Sequence, residues 1–378
     1  MKRPVTCHLH FDAARSLNAA GKHVRDGLSS CLRTGDNLWL ACDEHTTVER
    51  LRRLPDGSFG QHTSFSLAEL LHLPGGAEQE IDIEGLAEAD HYLWVIGSHS
   101  RKRKQPKPEH PDQTKQIGKL AQVQTEVNRY LLARIPLVLD EASGDFVLRA
   151  EAPHPTKPRH TLRAACLRDT GHTNELLRRL KRDEHLKPFL SIPGKDNGFD
   201  IEGLAAAGNG HLFVGLRGPV LRGWAVVLEL QLREDKHGRL RLAKLPHSGE
   251  YYHKHFLDLH GMGLRELRLL GPDLYLLAGP TMDLDGSIAV YRWPAAVKRH
   301  SGHVLHQPER LERLFDVPHR PGHDKAEGMA IYDPGHVLVV FDSPVPGRKR
   351  AADSVTADVY ALPRPGAAAK SSAANEQH

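Results

Sequence analysis

Cysteine is scarce in this chain of 378 residues, which holds only Cys7, Cys31, Cys42 and Cys166, with no CxxC pair among them. That scarcity excludes a disulfide scaffold and a structural zinc site of known spacing. It makes a reducing cytoplasm the expected compartment. Long apolar runs are also missing: none approaches the ~18 residues that a membrane helix needs, so no membrane partner is expected. The first residues, MKRPVTCHLHFDAARSL, contain no continuous apolar stretch and do not read as a secretory signal. Charge of one sign is lacking too. Lys+Arg number 51 against 47 Asp+Glu, for a net charge of +4, so global charge disfavours nucleic acid as a partner. Walker A, GxGxxG, GxSxG and HExxH motifs are absent.

Among what is present, 39% hydrophobic and 26% charged residues suit a folded globular protein. The 26 histidines stand beside many Arg, Ala and Leu and read as compositional bias rather than chemistry. The informative feature is a repeat. Residues 81–87 read IDIEGLA, 199–205 FDIEGLA and 324–330 DKAEGMA, with a weaker copy, HGMGLREL, at 260–267. Residues 29–43, SSCLRTGDNLWLACD, fit the same frame without the Glu. Each copy leads through a Gly, Asp or Asn turn into a short apolar run, as in 93–97 (LWVIG), 212–215 (LFVG) and 337–341 (VLVVF). Third β-rich runs follow, for example 224–232 and 287–293.

Short strands at this regular spacing predict an all-β fold, a β-propeller of five four-stranded blades. A double-length gap between 84 and 202 leaves room for a sixth, although an insertion fits that stretch better. The alternatives are a pair of β-sandwiches or an irregular α+β chain. Residues 5–363 read as a single propeller domain. Within it lie a basic loop insertion at 99–127 and a helical connector at 155–198, and a disordered tail follows at 366–378. The connector contains a predicted surface helix over 173–187, capped by Thr173 or Asn174. The segment at 5–11 is placed to pair with the last blade and close the ring.

In Asp82-Ile83-Glu84 and Asp200-Ile201-Glu202, a strand period of two puts both carboxylates on one face. The following Gly allows a bulge or a close approach. If these are inner strands, Glu84, Glu202 and Glu327 converge on the central channel. Like charges so placed need a cation, arginines or retained protons. The candidate partners are a divalent cation of the calcium type, or Arg217 and Arg265. Second-strand ends add Asp43 with Glu44, Ser98 with His99, and Asp342 with Ser343. The carboxylates also have a purely structural reading, in which they pin blade to blade.

Two other clusters stand out. The run RKRK at 101–104 reads as a solvated loop, or as a dock for an acidic or nucleic-acid partner. His247, His253, His255 and His260 crowd a short stretch without zinc spacing and read as surface or rim residues.

Taken together, GSHS (97–100), GKDNGFDIEGLA (194–205), GLRGPV (215–220), GLREL (263–267), LLAGP (276–280), EGMA and FDS (341–343) resemble a bacterial family. It is catalogued as a domain of unknown function, number thirty-six sixteen, and the likeness spans residues 5–363. The resemblance implies a propeller distantly similar to phytase-like and lactonase-like propellers, some of which hold a metal in the channel and hydrolyse phosphoesters or lactones. By this resemblance the carboxylate set is incomplete: Met262 stands where a Glu would sit in the fourth unit, and Ser29 in the first.

The sequence thus supports a binding or scaffolding propeller. Its channel mouth is lined by Glu84, Glu202, Glu327, Arg217, Arg265, His99 and Asp342, and takes an anionic small molecule or a protein segment. The alternative is a metal-dependent hydrolase, with Glu84, Glu202 and Glu327 on a divalent ion and His99 or Asp43 as general base.

Overall fold

The computed structural model describes residues 3–18, 21–282, 285–351 and 353–363. The tail expected at 366–378 lies outside the described residues. Five antiparallel sheets follow one another along the chain. Blade 1 runs Leu28–Thr34, Asn37–Cys42, Thr47–Arg53, Phe59–Ser66. Blade 2 is Ile83–Ala89, Tyr92–Gly97, Leu132–Asp140, Asp145–Leu148. Blade 3 is Asp200–Gly208, His211–Gly218, Trp224–Glu234, Tyr252–Asp258. Blade 4 is Gly263–Leu270, Asp273–Gly279, Ile288–Trp293, Glu312–Val317. Blade 5 is Lys325–Asp333, His336–Asp342, Ser354–Ala361, completed by the N-terminal strand Val5–His10.

The first strands of the blades pack side against side in a closed ring, 1 on 2, 2 on 3, 3 on 4, 4 on 5 and 5 on 1. The structure is a five-bladed propeller, and the long gap before blade 3 holds insertions. Five apolar clusters fill the five spaces between neighbouring blades. This explains why second strands such as Asn37–Cys42 and Tyr92–Gly97 are buried at every residue: both faces of an inner blade strand meet another blade. The hairpin turns follow from residues that tolerate positive φ. In blade 2 these are Asp90 (φ 54°) and His91 (φ 65°), and in blade 3 Asn209 (φ 52°) and Gly210 (φ 74°).

The insertions differ in part from expectation. The basic stretch is no plain loop, because Lys102–Arg103 pairs with Val123–Gln124 and a helix spans Gln113–Leu120, with the Asp112 side chain accepting from the Lys115 N–H. The helix expected over 173–187 is only Glu175–Leu180, with Asn174 rather than Thr173 as its cap. Among the described residues no helix is long and apolar enough to cross a membrane.

Candidate functional site

Every inner strand carries a β-bulge near its start, and the bulge positions align the repeat. The residues at this level are Ser29, Glu84, Glu202, Arg265 and Glu327. The fourth member is therefore Arg265. Met262, assigned to that place from the sequence, lies before the strand. The fourth strand replaces Glu-Gly with Arg265-Glu266, so matching its Gly263-Leu264 to the other Gly-Leu pairs slips the register by three residues. Extra bulge residues turn these side chains into the channel rather than into the blade faces.

The side chains converge on a cavity of about 670 Å³ at one end of the channel. Asp43, Glu84, Glu202, Arg217, Arg265, Glu327 and Asp342 all line it. Arg217 bonds Glu202 and lies 3.7 Å from Asp200. Arg265 donates to Glu202 at 3.2 Å and to Glu327 at 2.9 Å, tying blade 4 to blades 3 and 5. Backbone carbonyls of Thr281 and Pro280 fix the two guanidinium groups from behind. Asp43, Glu84 and Asp342 have no arginine partner among the described residues. Asp43 and Asp342 border the same gap: a Cβ added at Gly27 would lie 2.7 Å from Asp43 Oδ1 and 3.8 Å from Asp342 Oδ1.

The sequence reading missed Arg129, Lys195, Lys325 and Arg320. Arg129 bonds Asp82 and donates to Glu80 at 3.0 Å, while Ser98 and Ser100 hydroxyls accept from it at 3.1 and 3.0 Å. It comes from the insertion, where no repeat marks it. The RKRK run lies over the mouth as part of a basic collar with Lys195, Arg320 and Lys325. Lys102 is bound to Glu80 at 2.8 Å and Arg103 to Asp196 at 2.8 Å, so this run is anchored rather than freely solvated.

His99 is not at the mouth. It is buried behind it, its Nδ1 2.8 Å from the Gly97 carbonyl and its Nε2 2.6 Å from Asn174 Nδ2. Burial lowers its pKa to about 4. With both ring nitrogens engaged inside the protein, it is placed as a link between blade 2 and the Asn174 cap, away from any general-base position. Of the four clustered histidines, His247 and His260 are exposed as expected, while the other two differ. His253 and His255 are buried in blade 3, where with His211 they surround Glu229 at 2.8–3.3 Å.

The floor is electrostatically crowded. Burial is the main cause that pushes Asp43 and Glu327 to about 8 and Asp200 to about 7, and it raises Glu84 and Asp342 as well. Neighbouring carboxylates push in the same direction, while Arg217 opposes at Asp200 and Arg265 at Glu327. The folded state therefore holds protons on these groups that the unfolded chain releases above about pH 4. Stability contributed by those protons is complete at low pH and is lost as the pH rises through 7–8. The melting temperature is expected to fall between pH 5 and pH 8.5, and Asp43→Asn should flatten that fall. A scanning-fluorimetry series checks both.

As placed, Glu84, Glu202 and Glu327 do not form a metal cage. Both Glu202 oxygens and one Glu327 oxygen are taken by arginines, and among the described residues no group of three or more His, Cys, Asp or Glu is arranged to hold an ion.

Three residues below Arg265, Arg268 closes the axis. Its guanidinium donates to the carbonyls of Cys31, Leu86, Leu204 and Leu267, on the inner strands of four blades. It also pairs with buried Glu266 at 2.6 Å, which accepts from the Ser30 hydroxyl at 2.5 Å.

These features define a five-bladed propeller whose channel is plugged at depth and open at one polar mouth. The chain belongs to the family described as Protein of unknown function (DUF3616), whose model matches residues 27–358. No curated protein matches it. Among solved structures it is similar to a PQQ-bound aldose sugar dehydrogenase from Streptomyces coelicolor, with 14% identity over 95% of this chain and 100% of that one, at a TM-score of 0.36. It is also similar to a glutaminyl cyclase from Myxococcus xanthus (9%, 96% and 99%, TM-score 0.36) and to a streptogramin B lyase (7%, 95% and 98%, TM-score 0.35). At these scores no activity passes to this chain.

Proposed function

We propose that the protein is a binding or scaffolding propeller that takes an anionic small molecule at the open mouth of its channel. One observation carries the reading: the mouth is layered by charge. Carboxylates and their bound arginines form the floor, and Arg101, Lys102, Lys195, Arg320 and Lys325 form a collar around it. An anionic group in the collar meets cations from several segments at once. Hydroxyl or amine groups of the same molecule reach the floor, where carboxyls held near neutrality both donate and accept. Arg217 and Arg265 act through that floor. Their bonds to Glu202 and Glu327 fix donors and acceptors in place before a ligand arrives.

Calorimetric and thermal-shift titrations with glucose 6-phosphate, gluconate and glucose test this. The two anions should raise the melting temperature and glucose should not. The double variant Lys195→Ala/Lys325→Ala should weaken anion binding by about tenfold or more. Unchanged affinity in that variant would remove the collar from the reading. Stabilisation by calcium alone, abolished by Glu84→Gln, would overturn it in favour of the metal-dependent hydrolase.

A further inference from the structure

A second concave region lies on the outside of blade 3, where the Glu175–Leu180 helix meets the edge strand Leu240–Ala243. Two cavities of about 540 Å³ and 400 Å³ share a wall made by Arg168, Glu175, Arg179 and Tyr251. The wall is built rather than incidental. Buried Glu175 lies 3.6 Å from Arg168 and 3.5 Å from Arg179, one carboxylate oxygen facing each, and it accepts from the Leu242 N–H at 3.3 Å. The Arg179 guanidinium stacks on the Tyr251 ring, 3.2 Å from its centroid. One carboxylate thus fixes two arginines that each face a cavity.

Further cations surround this wall, with Glu250 the one other carboxylate lining the larger cavity. Arg178 and Arg182 line the larger cavity, and Arg233 and Arg241 the smaller. Among the described residues, none of these four side chains has an ion pair or a hydrogen bond. Arg233 and Arg241 stand directly opposite each other in the antiparallel register. Like charges in that position destabilise a strand pair, and nothing in the fold of the blade requires them there. An arrangement that costs stability and gains no internal contact points to an external anion.

We infer that this face is an anion site, separate from the channel mouth, for a small molecule carrying a short chain of phosphate groups. Guanidinium forks suit phosphate oxygens, since each makes two parallel charge-assisted bonds. Two adjoining cavities with a shared arginine wall suit two or more linked phosphates better than one. Their size is that of a small-molecule pocket.

The test titrates inorganic tripolyphosphate and orthophosphate into the full-length protein at fixed salt. Wild type is compared with Arg233→Ser/Arg241→Ser, Glu175→Gln and the channel-mouth variant Lys195→Ala/Lys325→Ala. Tripolyphosphate should bind about tenfold or more tighter than orthophosphate. Arg233→Ser/Arg241→Ser should lose that preference, yet melt at or above the wild-type temperature without ligand, because the cross-strand repulsion is gone. The channel-mouth variant should keep the preference for tripolyphosphate over orthophosphate that Arg233→Ser/Arg241→Ser loses. Glu175→Gln should weaken binding through loosened Arg168 and Arg179. Equal affinity for the two phosphates, or unchanged binding in Arg233→Ser/Arg241→Ser, overturns the assignment. So does tighter binding of a single-stranded oligonucleotide than of tripolyphosphate with loss in the same variant, which would assign the face to nucleic acid.

Discussion

Arg268→Ala is expected to cost about 3–5 kcal/mol of stability, the scale for breaking a buried ion pair from one side. The reason is what remains. Glu266 would stay buried without its cation, and the carbonyls of Cys31, Leu86 and Leu204 would lose a shared donor. Burial already pushes Glu266 to about 7 with Arg268 in place, so without it the group would be held neutral. The double variant Glu266→Leu/Arg268→Met removes both charges and should recover much of the loss. Denaturant midpoints of wild type, Glu266→Leu, Arg268→Met and the double variant check the cycle, with Arg268→Ala measured beside them. A double variant as unstable as Arg268→Ala would mean that the carbonyl contacts, not the pair, carry the effect.

Gly203→Ala is expected to destabilise the ring strongly for the addition of a single methyl group. Gly203 has φ +118°, a region that side chains rarely enter, and that strain costs about 1–3 kcal/mol. A Cβ there would also lie 3.0 Å from the Leu267 nitrogen and 3.1 Å from the Glu266 Cα, both backbone atoms of the next inner strand. Overpacking of this kind adds about 1–3 kcal/mol. Gly223→Ala is the control, because Gly223 has φ +95° with no atom within 4 Å of the added carbon. The difference between the two melting temperatures isolates the contact between blades 3 and 4. Equal losses would show that backbone strain alone makes Gly203 necessary.

The blades were legible in the sequence because each inner hairpin repeats one pattern: a strand, a turn of Gly, Asp or Asn, and a strand buried on both faces. The closing strand was legible too, since Val5–His10 would otherwise leave blade 5 one strand short. Most of the mouth followed, because Glu84, Glu202 and Glu327 recur in phase. What was not legible has physical causes. A bulge adds a residue without a mark in composition, so Arg265 was not recognised as the fourth member of the ring. Arg129 enters from an insertion and owes its place to Asp82 and to Ser98 and Ser100, contacts that no spacing announces. His99 sits at the end of a second strand, as Asp43 and Asp342 do, but its φ of +55° and its bond to Asn174 turn it inward.

The Arg268 plug makes the channel a cup rather than a tube, with its carbonyl contacts spanning four of the five inner strands. Nothing can be threaded through a cup, so an extended chain could lodge only by its tip. Arrivals and departures share one doorway. Two occupants, one on the carboxylate floor and one in the basic collar, would load in a compulsory sequence and unload in reverse, last in and first out. The collar occupant would then act as a latch, setting how long the deeper one stays.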